Sequence, residues 1–455
     1  MMVQPRKGQA HPFANHAPFC EPARMQTGST RRDFVSTAAL SAAALAAASC
    51  ESTVKFPTRK SVNSRLQFGI IGFGVRAREI HTGFLDDESI EIVQVADACR
   101  ARADEGARLV NERRKDVLCR AVPDWRLMVT DRAIDGVIIA TPDHWHCEPA
   151  VAAANAGKHI YCEKPMSLTI AEGRKMADAA RKAGIRFQTG SQQRSEFGHY
   201  FVRAAEAVQN RRIGHVNRIL IGIGTPPVPC NLPAEPLPEG IDWDAWLGQA
   251  PMRPFHHDLC PVGMHNHYPS WRNYREYANG GLADMGAHHF DIAQWALNMD
   301  GSGPRKVIPP IDGSLTGLRM VYANGVELVH GGPTDCTFEG TDGTIECSRS
   351  HIKAYRGTDR NGPDAPELLA EPARYEVRLP RNESHIKDFL ASIRQGRDPI
   401  CTAEIGHRTA TICQLAVIGY EISKPLLWDP AQEQFVGDNK DEGNAHCSRA
   451  VRPHH

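Results

Sequence analysis

Leu66-Gln67-Phe68-Gly69-Ile70-Ile71-Gly72-Phe73-Gly74-Val75-Arg76-Ala77 decides how the rest of this chain is read. Four apolar residues in six make a buried strand that ends at Ile71, and the glycines then break it before a helical run to Leu85. Gly72 permits a tight turn, Gly74 lets a ligand approach the backbone, and Ala77 allows close helix–strand packing. A helix starting there directs unpaired N–H groups and its positive end at the turn, which seats a phosphate. Phe73 and Arg76 belong to the same turn. Asp97 closes the next strand, Val93-Gln94-Val95-Ala96-Asp97, 25 residues beyond Gly72. A carboxylate there accepts from both ribose hydroxyls and repels a 2′-phosphate. Strand, G-x-G-x-x-A, helix and acid together specify a dinucleotide site. NAD is expected over NADP, with Arg100 nearby pulling weakly the other way.

The same texture continues to about Gly190. Strands are expected over Phe68–Ile71, Glu91–Ala96, Gly136–Ala140, His159–Cys162 and Arg186–Gln188. Helices are expected between them, over Arg76–Leu85, Arg100–Arg114, Pro149–Ala156 and Ile170–Ala183. Apolar strands alternating with amphipathic helices imply an α/β fold, a doubly wound parallel sheet of the Rossmann type over residues 61–190. A helix over Phe201–Asn210 then leads to an apolar strand, Val216–Gly224, a Pro-rich passage and an aromatic, His-rich segment to Tyr277. Asn324-Gly325 and Asp342-Gly343 each separate two strand-like runs, and both dipeptides predict type I′ hairpin turns. Residues 191–428 are therefore expected to form an α+β domain with a large, mostly antiparallel sheet, closed by a helix over Ala403–Ile422. Substrate binding and oligomerisation fall to it. Residues 429–455 read as a polar tail.

Among 455 residues, 53 basic side chains balance 53 acidic ones, which argues against a nucleic-acid partner. Ser29-Thr30-Arg31-Arg32-Asp33-Phe34-Val35 precedes an Ala-rich run from Ala38 to Ala48, the pattern of a twin-arginine (Tat) export signal, so residues 1–60 read as signal and linker. That run falls short of the about 20 residues a membrane span needs. Met25 is an alternative start. Cys50, after Ala47-Ala48-Ser49, is a candidate lipid anchor without the usual leucine, and the sole membrane link expected. The protein is expected to be periplasmic or otherwise exported. The eleven cysteines beyond Cys50 contain no C-x-x-C, so neither a zinc ribbon nor a disulfide scaffold is indicated.

A second segment carries reactivity. Glu163-Lys164-Pro165 follows the strand His159–Cys162, placing one lysine where it can face the cofactor. On a helical wheel of Gly280–Asn298, Asp284, His288, Asp291 and Trp295 share a narrow stripe while His289 points into the apolar arc. This selects His288 over His289. An acid at i that raises and orients an imidazole at i+4 makes a general-base pair; a solvated polar face fits the spacing equally. Arg194, Trp271 and Arg272 are candidate substrate contacts. Trp243, Trp246, Tyr268 and Tyr274 are expected mainly in packing. His256-His257-Asp258, His265-Asn266-His267 and His288-His289 fit no helical zinc motif, so no metal is expected.

The chain resembles the Gfo/Idh/MocA oxidoreductases, the family of glucose–fructose oxidoreductase and inositol dehydrogenase, and in particular a Tat-exported branch. The resemblance spans roughly Leu66 to Asp429 and rests on five elements in family order. These are Gly72-Phe73-Gly74, Ala140-Thr141-Pro142-Asp143-His144-Trp145-His146, Ala156-Gly157-Lys158-His159, Glu163-Lys164-Pro165 and Asp284-Met285-Gly286-Ala287-His288. It implies that Lys164 lies between nicotinamide ribose and substrate, that Asp284 and His288 complete the catalytic set, and that Thr141, Pro142, His146 and Glu163 border the cofactor. Asp143 stands where asparagine often follows Thr-Pro. Family precedent also implies a homodimer or homotetramer formed across the open face of the second sheet.

The activity implied is hydride transfer between a secondary alcohol of a sugar, polyol or glycoside and tightly bound NAD. Lys164 would stabilise the developing alkoxide and His288 would take the proton. The alternative is a redox-neutral glycosidase or lyase, in which transient oxidation acidifies a neighbouring C–H and permits loss of the aglycone.

Overall fold

The computed structural model describes residues 65–115, 118–360 and 362–454, so the twin-arginine segment and Cys50 lie outside the described residues. The first half runs β1 (Leu66–Ile71), α1 (Val75–Leu85), β2 (Ile90–Ala96), α2 (Arg100–Arg113), β3 (Arg120–Val122), α3 (Arg126–Thr130), β4 (Gly136–Ile139), α4 (Cys147–Asn155), β5 (His159–Cys162), α5 (Ile170–Ala183) and β6 (Phe187–Thr189). Its strands are parallel, in the order β3-β2-β1-β4-β5-β6. Successive strands are added to one side up to β3 and to the other from β4, so the strand order switches between β1 and β4 and a crevice opens beyond their carboxyl ends. β4, Gly-Val-Ile-Ile, is buried throughout, as a strand covered on both faces must be. α5 begins with a capping box: the Thr169 side chain accepts from the Glu172 amide, and the Glu172 carboxylate accepts from the Thr169 amide.

The second half contributes α6 (Tyr200–Gln209), β7 (Val216–Ile221), α7 (Trp243–Leu247), α8 (Gly280–Ala296), β8 (Lys306–Ile308), β9 (Arg319–Val321), β10 (Glu327–His330), β11 (Cys336–Gly340), β12 (Gly343–Cys347), β13 (Ile352–Arg356), α9 (His385–Gln395), α10 (Ala403–Ile422), β14 (Leu426–Asp429), β15 (Gln434–Val436) and α11 (Lys440–Ala445). Among the described residues its sheet has nine strands, ordered β13-β12-β11-β7-β10-β9-β8-β14-β15, antiparallel except where β7 meets β10. Phe201, Phe290, Phe338, Leu415 and Leu328 pack α6, α8 and α10 onto one face of it.

Three expectations are corrected. Residues 191–428 are not one separate domain, because α9 returns to the first half: Phe389 lies 6.1 Å from the Phe68 ring and 5.7 Å from that of Tyr161. Residues 429–455 are not a free tail either. Phe435 is buried against Trp428, and Arg449, Arg452 and His454 pair with Glu172, Asp244 and Glu148. Their polarity serves docking onto acidic partners remote in sequence. The hairpin turns are not type I′. The Gly325 amide donates to the Tyr322 carbonyl, so Ala323 and Asn324 are the central residues and Gly325 alone has positive φ, 86°. Gly343 is already paired with Arg356 as the first residue of β12.

Candidate active site

A cleft of about 910 Å³ opens at the carboxyl ends of β1 and β4, bounded by both halves of the molecule. Its first end is built by the turn after β1. Gly72 has φ +83°, and a Cβ there would lie 2.9 Å from the Thr141 amide nitrogen, so glycine is needed twice over. Gly74 precedes α1 without a side-chain cap, and a Cβ there would meet nothing within 4 Å. Open space of this kind before a helix N-terminus suits a pyrophosphate. Asp97 is held rigidly at the cleft wall, accepting from the Phe73 amide at 2.7 Å and the Cys99 amide at 2.8 Å. Thr141 and Pro142 form the facing wall, with Thr141 Oγ1 buried and, among the described residues, without a hydrogen-bond partner. The Gly74 seat and this orphaned hydroxyl both fit a bound dinucleotide. Arg76 pairs with Glu163 and Glu79, each at 2.9 Å, and Glu163 also accepts from Gln192 Nε2.

The second end joins the loop after β5 to α8. Lys164 Nζ donates to Asp284 Oδ1 at 2.7 Å and to the Asp284 carbonyl at 2.8 Å. Burial raises the Asp284 carboxyl, but Lys164 and then Arg272 more than offset this and hold it below its ordinary value. His288, one turn along, lines the cleft with Nδ1 unpartnered. Burial first, then the charges of Lys164 and Arg349, keep it well below the ordinary imidazole value. His288 is therefore neutral at pH 7, the form that can accept a proton, while the same burial and charges weaken it as a base. The expectation that Asp284 raises this imidazole is corrected, since Asp284 spends its hydrogen bonds on Lys164. Asp143, also in the lining, is pushed up to about 8 by burial and by repulsion from Asp284, so it is protonated at neutral pH.

Several sequence-named residues stand elsewhere. Phe73 offers its backbone to Asp97, but its ring is buried against His81. Ala77 is buried at the helix–sheet contact. His146 does not reach the cleft: it sits between the carbonyls of Thr141 (3.0 Å) and Pro165 (2.7 Å), tying the two cofactor-facing loops together. Arg194 is not a substrate contact. It is 1% exposed and doubly engaged by Asp291 and Asp300. His289 stacks on Phe201, away from the lining. Trp271 and Arg272 do border the cleft, with the guanidinium 4.1 Å from the Trp271 ring and 4.7 Å from that of Tyr268. Trp243 and Trp246 stack at 4.8 Å within a buried cluster. Arg349, from the turn between β12 and β13, also reaches the cleft; no local pattern marks it, because only the sheet order brings that turn there. Outside the cleft lining, Glu235, His256 and His257 bring ligand atoms within 4.8 Å of one another.

Family models match both halves: "Oxidoreductase family, NAD-binding Rossmann fold" over residues 66–191 and "Oxidoreductase family, C-terminal alpha/beta domain" over residues 228–454. The chain is 28% identical over 361 residues to a 1,5-anhydro-D-fructose reductase of Ensifer adhaerens, covering 75% of this chain and 94% of that one. It is 31% identical over 164 residues to a myo-inositol 2-dehydrogenase of Thermotoga maritima, covering 36% and 47%. The fold is shared with the aldose-aldose oxidoreductase of Caulobacter crescentus, at a TM-score of 0.54 and 20% identity over 80% of this chain and 99% of that one. With both halves matched and the NAD-binding turn in place, the chain belongs to the Gfo/Idh/MocA oxidoreductase family.

Proposed function

We propose that the protein moves hydride between a secondary alcohol of a sugar, polyol or glycoside and tightly held NAD. The observation that carries this reading is the meeting of Lys164, Asp284 and His288 in the same cleft as the Gly72–Gly74 turn. NAD, when bound, supplies the acceptor for the carbinol hydrogen; everything else falls to the chain. Asp284 holds Lys164 by two hydrogen bonds, leaving one ammonium proton to point at the developing alkoxide. Neutral His288 receives the hydroxyl proton. Trp271 and Tyr268 border the cleft and hold the Arg272 guanidinium between their rings. Asp97, its carboxylate fixed by two amides, favours NAD over NADP. The test is to incubate the protein with a panel of glycosides and polyols, then assay the nucleotide by absorbance and mass spectrometry. Reduced nicotinamide, or a reduced second sugar, is expected; release of aglycone with no net redox change favours the other cycle.

That redox-neutral cycle draws on one specific observation, the protonated Asp143 in the cleft, which can donate to a departing glycosidic oxygen. Export through the twin-arginine route is proposed from Arg31-Arg32 and the run after them. The folded protein then travels with its cofactor, and Cys50 is the candidate anchor. Cell fractionation of the wild type against Arg31→Lys/Arg32→Lys checks this, with loss of the exported pool expected. A homodimer or homotetramer through the sheet face opposite α6, α8 and α10 is also proposed, and light scattering decides it.

A further inference from the structure

Most charged groups at the substrate end have a close partner of their own. Lys164 is offset by Asp284. Arg76 is offset by Glu163 and Glu79. Asp143 is protonated at neutral pH. Glu196, the other acid in this part of the lining, is engaged by the His385 amide. Two arginines remain. Arg272 is clamped between the Tyr268 and Trp271 rings, its nearest carboxylate oxygen 3.9 Å away on Asp284, beyond hydrogen-bonding reach. Its Nη1 is enclosed yet has no hydrogen-bond partner among the described residues. Arg349 lies over the Phe197 ring at 4.7 Å and, among the described residues, its guanidinium makes no ion pair within 4.0 Å; Asp335, which accepts from the Arg349 backbone amide at 3.3 Å, acts on it only through space. Both border the cleft beside Met285 and His288, and both act on the Asp284 carboxyl through space.

Aromatic clamping fixes the plane of a guanidinium and leaves its edge free, the arrangement that presents parallel N–H groups to a carboxylate. Enclosed donors without acceptors are costly, so groups like Arg272 Nη1 are found where a ligand completes them. A neutral hexose supplies only hydroxyls, which cannot make the paired, charge-assisted contacts that two guanidinium edges offer. We propose that the substrate is an acidic sugar, a uronic acid or uronoside, whose carboxylate is gripped by Arg272 and Arg349 while its ring presents a carbinol to Lys164 and His288. This rests on the sugar-oxidoreductase reading and narrows it to one substrate class.

The test uses the full, NAD-loaded protein and calorimetry at fixed ionic strength. Matched methyl hexuronides and methyl hexosides of gluco and galacto configuration are titrated, with inorganic sulfate as a generic-anion arm. At least one uronide is expected to bind tenfold or more tighter than its neutral partner, with sulfate far weaker. Arg349→Gln and Arg272→Gln should each weaken that uronide about 10- to 100-fold and collapse its preference over the matched hexoside, with NAD affinity as the control. Arg349 sits at an exposed turn, so its variant folds whatever becomes of Arg272. Equal binding of the two sugar classes, binding of neither, or a uronide preference that survives Arg349→Gln overturns the proposal. A uronide that binds as expected while no sugar changes the nucleotide sinks the oxidoreductase reading and leaves this one standing. Reduction by hexosides without uronide preference does the reverse.

Discussion

Two aspartates on one face of α8, two turns apart, each meet a basic side chain from the other half of the chain, and the outcomes are opposite. Asp291 and Arg194 are sealed, 0% and 1% exposed at the side chain, with Asp300 and Thr409 completing the shell. Asp284 and Lys164 face the cleft, 34% and 13% exposed. The sealed pair has four of the five guanidinium N–H groups committed to carboxylates and holds α8 in place. The open pair keeps one ammonium proton in reserve, which is what chemistry at an alkoxide requires. Both pairs span long stretches of sequence, 120 residues for Lys164 with Asp284 and 97 for Arg194 with Asp291; solvent access separates them. The sharpest way to break this contrast is Asp291→Ala, which leaves a buried guanidinium with Asp300 alone. Stability should fall by about 3–5 kcal/mol in a urea titration. A loss under about 1 kcal/mol would place Asp291 with the open pair.

Lys164→Ala should show the complementary pattern. Turnover is expected to drop about 10²–10³-fold, with the melting temperature and NAD affinity close to wild type. A protein that unfolds but keeps its specific activity would make Lys164 a structural group like Arg194.

The glycines of the first turn extend the same contrast. Gly72 is closed in by Thr141 and has positive φ, whereas Gly74 opens onto the cleft. Gly72→Ala should therefore lose stability. Gly74→Ala should fold normally and bind NAD about tenfold more weakly, because its methyl occupies the phosphate seat. Melting curves and nucleotide titrations on both variants read the two effects separately.

What the sequence disclosed follows from how local each signal is. β5 and α5 begin and end as expected because the apolar run His159–Cys162 and the Thr169–Glu172 capping box are complete within a few residues. The glycine turn and Asp97 are equally local. The wheel of α8 places His288 in the cleft and His289 against Phe201, because a helix fixes direction within one turn. Hidden were the features made by chain return. Phe389 completes the core of a sheet that ended about two hundred residues earlier, and Arg349 reaches the cleft through a hairpin tip. Arg194 looked like a substrate group because its acids, Asp291 and Asp300, lie about a hundred residues away. The short strands β3 and β15 carry too few residues for a periodic pattern.

Asp143 offers the finest test, since it lies between the two extremes: nearly as buried as Asp291, yet part of the cleft lining. Its folded-state value of about 8 stands above an ordinary 3.8, through burial and then the neighbouring Asp284 charge. A raised carboxyl binds its proton more tightly in the folded state. The stability linked to it is therefore greatest below pH 4 and declines as pH climbs toward 8. Asp143→Asn, which cannot ionise, should flatten that decline in denaturant titrations run from pH 4 to 8. If the protonated carboxyl also orders the substrate, wild-type turnover should fall about twofold between pH 7 and 8, and the asparagine variant should lose this limb. An unchanged stability profile in Asp143→Asn would mean that cleft water solvates the carboxylate and that Asp143 belongs with the open pair.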